Sequence, residues 1–107
     1  MIRNIIRVDI TDVTDDGYTF PVDMIPASGT YRSETDEDDA GRFEKIDISF
    51  RTEQPHRLDD WFYRDLVLTI LFSDNSTETV GNQSVPVRLR TARDATFTAS
   101  VEYIRPI

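Results

Sequence analysis

"QPHRLDDWFYRDLVLTILFSDN", residues 54–75, decides between two architectures. Leu58, Trp61, Phe62 and Leu66 recur at helical spacing, and Pro55 stands where a helix can begin. Beyond Arg64 the run "DLVLTILF" has the composition of a strand and stops at the turn-forming "SDNS" of 73–76. This predicts one or two helical turns at about 57–64 and a buried strand over 65–73. A single helix over 56–72 is the competing reading, and only the first leaves the chain all-β.

The rest of the chain sides with strands, because apolar residues recur at every second position. Ile2, Ile6, Val8 and Ile10 share one face of "IRNIIRVDIT", with Arg7, Asp9 and Thr11 on the other. "TDDG" at 14–17 supplies an Asp-Gly turn, and "YTFPVDM" then places Tyr18, Phe20, Val22 and Met24 inward, so residues 2–24 read as a β-hairpin. Pro21 has no N–H to donate, which pushes the second strand towards a sheet edge. "RFEKIDISFRTE" alternates through Phe43, Ile46, Ile48 and Phe50, and the three-residue step from 43 to 46 predicts a bulge at its start. "SDNS" closes another hairpin onto "TETVGNQ". "SVPVRLRT" follows, with Val85, Val87 and Leu89 pointing one way and Arg88 and Arg90 the other. "TFTASVEYI" completes the set with Phe97, Ala99, Val101 and Tyr103 inward. About seven strands, mainly antiparallel, predict a single β-domain over 1–107, built as a sandwich or a small barrel.

Between Ile25 and Gly41 the pattern lapses. "IPASGTYRSETDEDDAG" carries Glu34, Asp36, Glu37, Asp38 and Asp39, five acids in six positions, and too few apolar side chains to offset the entropy of ordering it. It reads as a long acidic loop over 25–41, one whose excision at 33–41 leaves the fold intact. Calcium needs carboxylates aimed inward by fixed turns, whereas consecutive acids splay apart. Asp12, Asp16, Gly17 and Asp23 match four positions of a twelve-residue calcium loop. Thr14 breaks that pattern, and the hairpin turn accounts for the same residues. The loop therefore reads as solvated, gaining order against a cationic partner.

Charge is the strongest bias: 20 acids against 12 bases give a net −8, with 14 of the acids Asp and 11 of the bases Arg. Such a field repels polyanions and speaks against direct binding to a nucleic-acid backbone. With no cysteine, thiol redox chemistry, iron–sulfur clusters and Cys-based zinc sites are excluded. The longest apolar run, "LVLTILF" at 66–72, is far too short for a membrane-spanning helix, and the N-terminus lacks the apolar core of a secretory signal. The expected place is the cytoplasm or an intracellularly assembled particle.

Chemistry-bearing motifs are sparse. His56 is the single histidine, and no nucleophile context accompanies it; with Asp59 or Asp60 it forms at most a weak acid–base or metal pair. No glycine-rich loop precedes a helix. No catalytic residue, cofactor or metal ligand is assigned on these grounds. Trp61, Phe62 and Tyr63 cannot all face one core, and exposed Trp and Tyr anchor interfaces or stack on sugars. Arg88 and Arg90 oppose the global charge and either pair with Glu78 or Glu102 across the sheet or mark a basic stripe. Such a stripe would dock the acidic segment of a neighbouring copy, head to tail. The candidate protein-interaction residues are thus Glu34, Asp36, Glu37, Asp38, Asp39, Trp61, Tyr63, Arg88 and Arg90. The leading expectation is a non-enzymatic interaction or assembly subunit, in the manner of a phage-like or mobile-element structural part, with a protein partner or its own copies. An acidic inhibitor mimicking nucleic-acid phosphates and a carbohydrate-binding module using Trp61 and Tyr63 are the alternatives.

Overall fold

Among the described residues, seven strands turn alternate side chains into one shared interior, which is the physical content of the period-two pattern. The computed structural model describes residues 1–14, 23–91 and 98–107, the side chains of Pro55 and His56 excepted. The strands are β1 (Ile2–Asp12), β2 (Asp23–Asp38), β3 (Gly41–Arg51), β4 (Leu66–Phe72), β5 (Thr77–Val80), β6 (Arg90–Thr91) and β7 (Thr98–Pro106), all in one antiparallel sheet of order β5-β4-β1-β2-β3-β7-β6. The all-β class is therefore as the sequence predicts. Of its two forms, the sandwich is replaced by a single sheet that curls until its ends meet.

The stretch that opened the question resolves as a turn followed by a strand. Pro55–Leu58 forms one short 3₁₀ turn, residues 59–65 are irregular, and β4 then buries Leu66, Leu68, Ile70 and Phe72. The helix expected at 57–64 is thus reduced to a turn placed slightly earlier, and the continuous helix over 56–72 is absent. Leu58, at 2% exposure, is driven into the core, which a solvated helix would not require.

Closure of the sheet falls to the chain from Thr77 to Thr91. β5 pairs with β4 from Leu71↔Thr77 to Leu68↔Val80, and an excursion over 81–86 interrupts the ladder. Val87 then resumes it against Leu66, with both N–H···O bonds at 2.8 Å. Three residues later, Arg90 and Thr91 have crossed to Ser100 and Ala99 of β7. One segment therefore joins β4 to β7. Gly81, with φ +87°, starts the excursion where a Cβ would lie 3.2 Å from the Leu66 carbonyl oxygen and from Val87 Cγ1. Asn82 folds it back, its Oδ1 accepting from Ser84 N–H at 2.9 Å and Val85 N–H at 2.7 Å. The strand expected over "SVPVRLRT" is accordingly short, and Val85 is 52% exposed instead of facing inward.

Two face assignments are corrected by a bulge. Between Ile5 and Arg7 the β1 register shifts against both β2 and β4, so Ile5 is buried and Ile6 turns out to solvent. Ile2 and Met24, read as inward, are also exposed. No bulge occurs at the start of β3: its register with β2 runs unbroken from Asp38↔Gly41 to Ser28↔Arg51, and Phe43 lies on the face opposite Ile46. β1 and β2 pair as a hairpin, but only Asp9↔Met24 and Ile10↔Asp23 fall within 2–24; Ile2–Val8 pair with residues 25–32, and β2 lies between β1 and β3 instead of at an edge. The turn and the expected inward positions Tyr18, Phe20 and Val22 lie outside the described residues. So does Phe97.

The largest correction concerns the acidic loop over 25–41. Residues 25–38 belong to β2, the longest strand, and only Asp39 and Ala40 turn the chain into β3. Every residue from Ser28 to Asp38 has a β3 partner. Acids have low strand propensity, but a ladder supplied by a strong neighbouring strand overrides it. Excision of 33–41 would thus remove half of a hairpin, not a dispensable loop.

The interior so formed holds Val8, Ile10, Ile25, Tyr31, Ile46, Ile48, Phe50, Leu66, Leu68, Ile70, Phe72, Val80 and Val101 among others. Each large apolar side chain buried contributes about 1.5–3 kcal/mol, against about 0–1 kcal/mol for an exposed ion pair, so this core and not the abundant surface charge holds the fold. At Gly29 the β2 and β3 backbones approach so closely that an added Cβ would meet Ser49 O at 2.0 Å and Phe50 Cα at 2.6 Å. Backbone atoms cannot yield as side-chain ends do. Gly29→Ala is expected to destabilise by about 2–3 kcal/mol and lower Tm by roughly 10–20 °C. A thermal melt followed by circular dichroism checks this, and an unchanged Tm would contradict the close approach.

Candidate functional site

The curled sheet has two ends, and its polar chemistry is concentrated there. At the end reached by the β2–β3 turn, Arg105 of β7 points inward and is held between two carboxylates. Its Nε donates to Glu44 at 3.0 Å and one terminal nitrogen to Glu78 at 2.7 Å, while the other reaches the Thr79 carbonyl at 3.2 Å. Arg105 thus satisfies part of the β5 edge that no described strand covers. The hydrogen bond from Ser33 Oγ, at 2.6 Å, is the main cause holding the Glu44 carboxyl below its usual range; burial opposes it and Arg105 assists. Beneath this plug Tyr31 packs edge-on against Phe72, ring centroids 5.2 Å apart, and the Arg3 guanidinium lies 3.7 Å above the Phe72 ring. Burial, reinforced by the negative charges of Glu78 and Glu44, pushes the Tyr31 phenol up to about 12, so it stays neutral.

On the outer face of the same end, strand parity sorts the acids. Glu34, Asp36 and Asp38 point outward from β2, about 6.5–7 Å apart along the strand, while Glu37 belongs to the other face and Asp39 to the turn. Cross-strand pairing sets Lys45 and Ile104 beside Glu34, and Phe43 and Pro106 beside Asp36. Ile104 and Ile107 are 60% and 68% exposed. A column of carboxylates therefore runs beside a partly exposed apolar column. The acidic residues were legible in the sequence. Phe43 and Ile104 were missed, because alternation alone placed Phe43 with Ile46 and gave Ile104 no face.

The opposite end gathers the other candidates. Trp61 is half-buried against the core and donates its indole N–H to Asp23 at 3.1 Å, an acid that Arg57 also holds. Tyr63, by contrast, is 89% exposed on a backbone with φ +69°, a conformation unusual for an aromatic residue. Trp61 is thus tied to the core and to Asp23, while Tyr63 stands in solvent. Arg64 pairs with Asp12 at 2.9 Å and Arg88 with Asp65 at 2.8 Å. Arg90 reaches Glu102 at 4.0 Å, as one sequence reading expected; Arg88 does not reach Glu78, which Arg105 occupies. The basic stripe is therefore neutralised locally.

Asp12 and Asp23, the outer positions of the calcium-loop reading, are both engaged by cations, and among the described residues no three acidic or histidine groups are placed to hold a metal. Asp59 and Asp60 are exposed, and the His56 side chain lies outside the described residues. An open depression of about 750 Å³ lies where the β1 bulge faces the end of β3, bordered by Ile6, Pro26, Ser28, Arg51 and Gln54. Among the described residues no helix is long and apolar enough to cross a membrane.

The chain matches no family model, no curated protein and no solved structure.

Asp12 is the most constrained ionisable group of the second end, at 2% exposure. Burial disfavours its charge, but hydrogen bonds from the Thr14 hydroxyl and N–H and the Arg64 guanidinium together hold its carboxyl below the usual range. A depressed carboxylate contributes stability that is present above its unfolded value of about 4 and is lost as pH falls through the lower folded value. Denaturant unfolding from neutral pH downward is expected to show stability falling below about pH 4. The Asp12→Asn/Glu44→Gln variant should be less stable by about 1–3 kcal/mol at neutral pH, with a flattened acid limb. An acid limb as steep as the parent's would place the responsible groups elsewhere.

Proposed function

We propose that the protein is a non-enzymatic subunit that acts through its surface, as an interaction or assembly component of a larger complex. The carrying observation is the outer face of β2, β3 and β7. Glu34, Asp36 and Asp38 there flank Phe43, Ile104 and Pro106, an apolar strip edged by charge in the manner of a protein interface. Tyr63 at the opposite end supports a second contact, since a fully displayed tyrosine is a common interface anchor. The interior is filled by core side chains, so the functional groups of the molecule are on its outside. A phage-like or mobile-element particle assembled inside the cell is the setting we favour for a short β-domain of this kind, on type of object alone.

A second reading, inhibition of a nucleic-acid-binding enzyme by phosphate mimicry, is favoured by one observation: Glu34, Asp36 and Asp38 fall on one strand face at a spacing close to that of successive phosphates. The adjoining Phe43 and Ile104, and Lys45 within the acidic face, fit a protein surface better than a copy of a polyanion.

Lys45, the single lysine, sits within the carrying face and makes the reading testable. Acylation of Lys45 is expected to be slower in native lysate than in the purified chain, and Phe43→Ser/Ile104→Ser should abolish that protection while leaving the melt unchanged. Equal acylation in both settings, together with a monomeric elution size at low and high salt, would defeat the proposal.

A further inference from the structure

β2 outruns β1. The last β1 contacts are Ile2↔Arg32 and the paired bonds between Met1 and Ser33, whose N–H and C=O both point to that side. Two-residue periodicity turns the N–H and C=O of Thr35 and Glu37 the same way, towards an edge that no described strand covers. Glu37 N–H is taken locally by the Asp36 carboxylate at 2.8 Å. Thr35 N–H, Thr35 C=O and Glu37 C=O have no backbone partner among the described residues. This edge lies directly beside the outward column Glu34, Asp36 and Asp38.

From these two observations we infer that the β2 edge over Glu34–Asp38 accepts an extended cationic segment of a partner protein as an added strand. The inference rests on the reading of the protein as an interaction subunit and names its partner's chemistry. Main-chain bonds to Thr35 and Glu37 provide the ladder. Lys or Arg at alternate positions of the incoming strand stand directly opposite Glu34, Asp36 and Asp38, because both strands share the same repeat. The incoming cations also draw the Asp36 carboxylate away from Glu37 N–H, freeing that donor. The same acids disfavour a second copy, whose identical column would face them as like charges, and they keep the edge from indiscriminate pairing. Polyanions are repelled for the same reason.

The probe is a synthetic peptide of alternating lysine and threonine, compared with one carrying a central proline and with one in which glutamate replaces lysine. Binding of the first is expected to protect the Thr35 amide from hydrogen exchange by about tenfold or more and to weaken steeply between low and high salt. The proline peptide should protect far less and the glutamate peptide not at all. Glu34→Gln/Asp36→Asn/Asp38→Asn should weaken binding about tenfold with Tm unchanged. The control of equal charge change, Glu53→Gln/Asp59→Asn/Asp60→Asn, should bind as the parent does. Bulk attraction would explain the binding, and overturn the inference, if the control weakened it equally or the proline peptide bound as tightly without protecting Thr35. Protection of Thr35 in a peptide-free dimer would assign the edge to a second copy and equally overturn it. Slow Lys45 acylation in lysate without Thr35 protection by the peptide removes this inference and leaves the interaction reading standing. Failure of both removes both.

Discussion

Everything in this structure depends on one sheet closing upon itself, and closure is made by a few backbone bonds at Leu66 and Val87. An open antiparallel sheet of this composition would expose one face of Val, Ile and Leu to water; curled, it encloses that face. Curvature needs places where the ladder is allowed to break or to press close. The Ile5–Arg7 bulge bends β1, Gly29 lets β2 lie against β3, and Gly81 lets the seam leave β4 and return. Pro26 falls at the same irregularity, beyond the last β2–β3 pair at Ser28↔Arg51, where its missing N–H is least harmful.

Closure also explains where the charges are. The interior admits only apolar side chains along its length, so inward-facing polar groups are confined to the ends, where Arg105, Glu44 and Glu78 cap one opening and Asp12 with Arg64 the other. Among the described residues no buried side-chain nitrogen or oxygen is left without a partner. Most remaining ion pairs are exposed and each contributes little to stability. Asp47 opposite Glu102 on the outer face, with Arg32 and Arg90 as the adjoining cations, shows how closely like charges are tolerated there.

The proposed contact surface lies on the hairpin that outruns the barrel. A segment rich in Asp and Glu pairs in register with β3 because β3 is itself held by β7, and the two carry the acids out beyond β1 in a fixed array. Fixed order matters for recognition. A disordered acidic loop would lose conformational entropy on binding, whereas this column is presented already spaced.

What the sequence by itself determined is the class and most of the interior. Strand-like composition ending in a turn identified β4, and period-two alternation correctly named Ile46, Ile48, Phe50, Val87, Leu89, Ala99, Val101 and Tyr103 as inward. Exposure of the acidic candidates was also legible, since carboxylates stay in water, but that of Tyr63 was not: Tyr31 and Tyr103 of the same chain are buried. Only the tertiary structure decided which way Ile5 and Ile6 point, that Trp61 and Tyr63 part company, that Arg88 meets Asp65, and that residues 25–38 are strand. Each of these turns on a partner distant in sequence: one bulge reverses a face, and a ladder overrides local propensity. Such facts belong to pairs of segments and cannot be written in either segment alone.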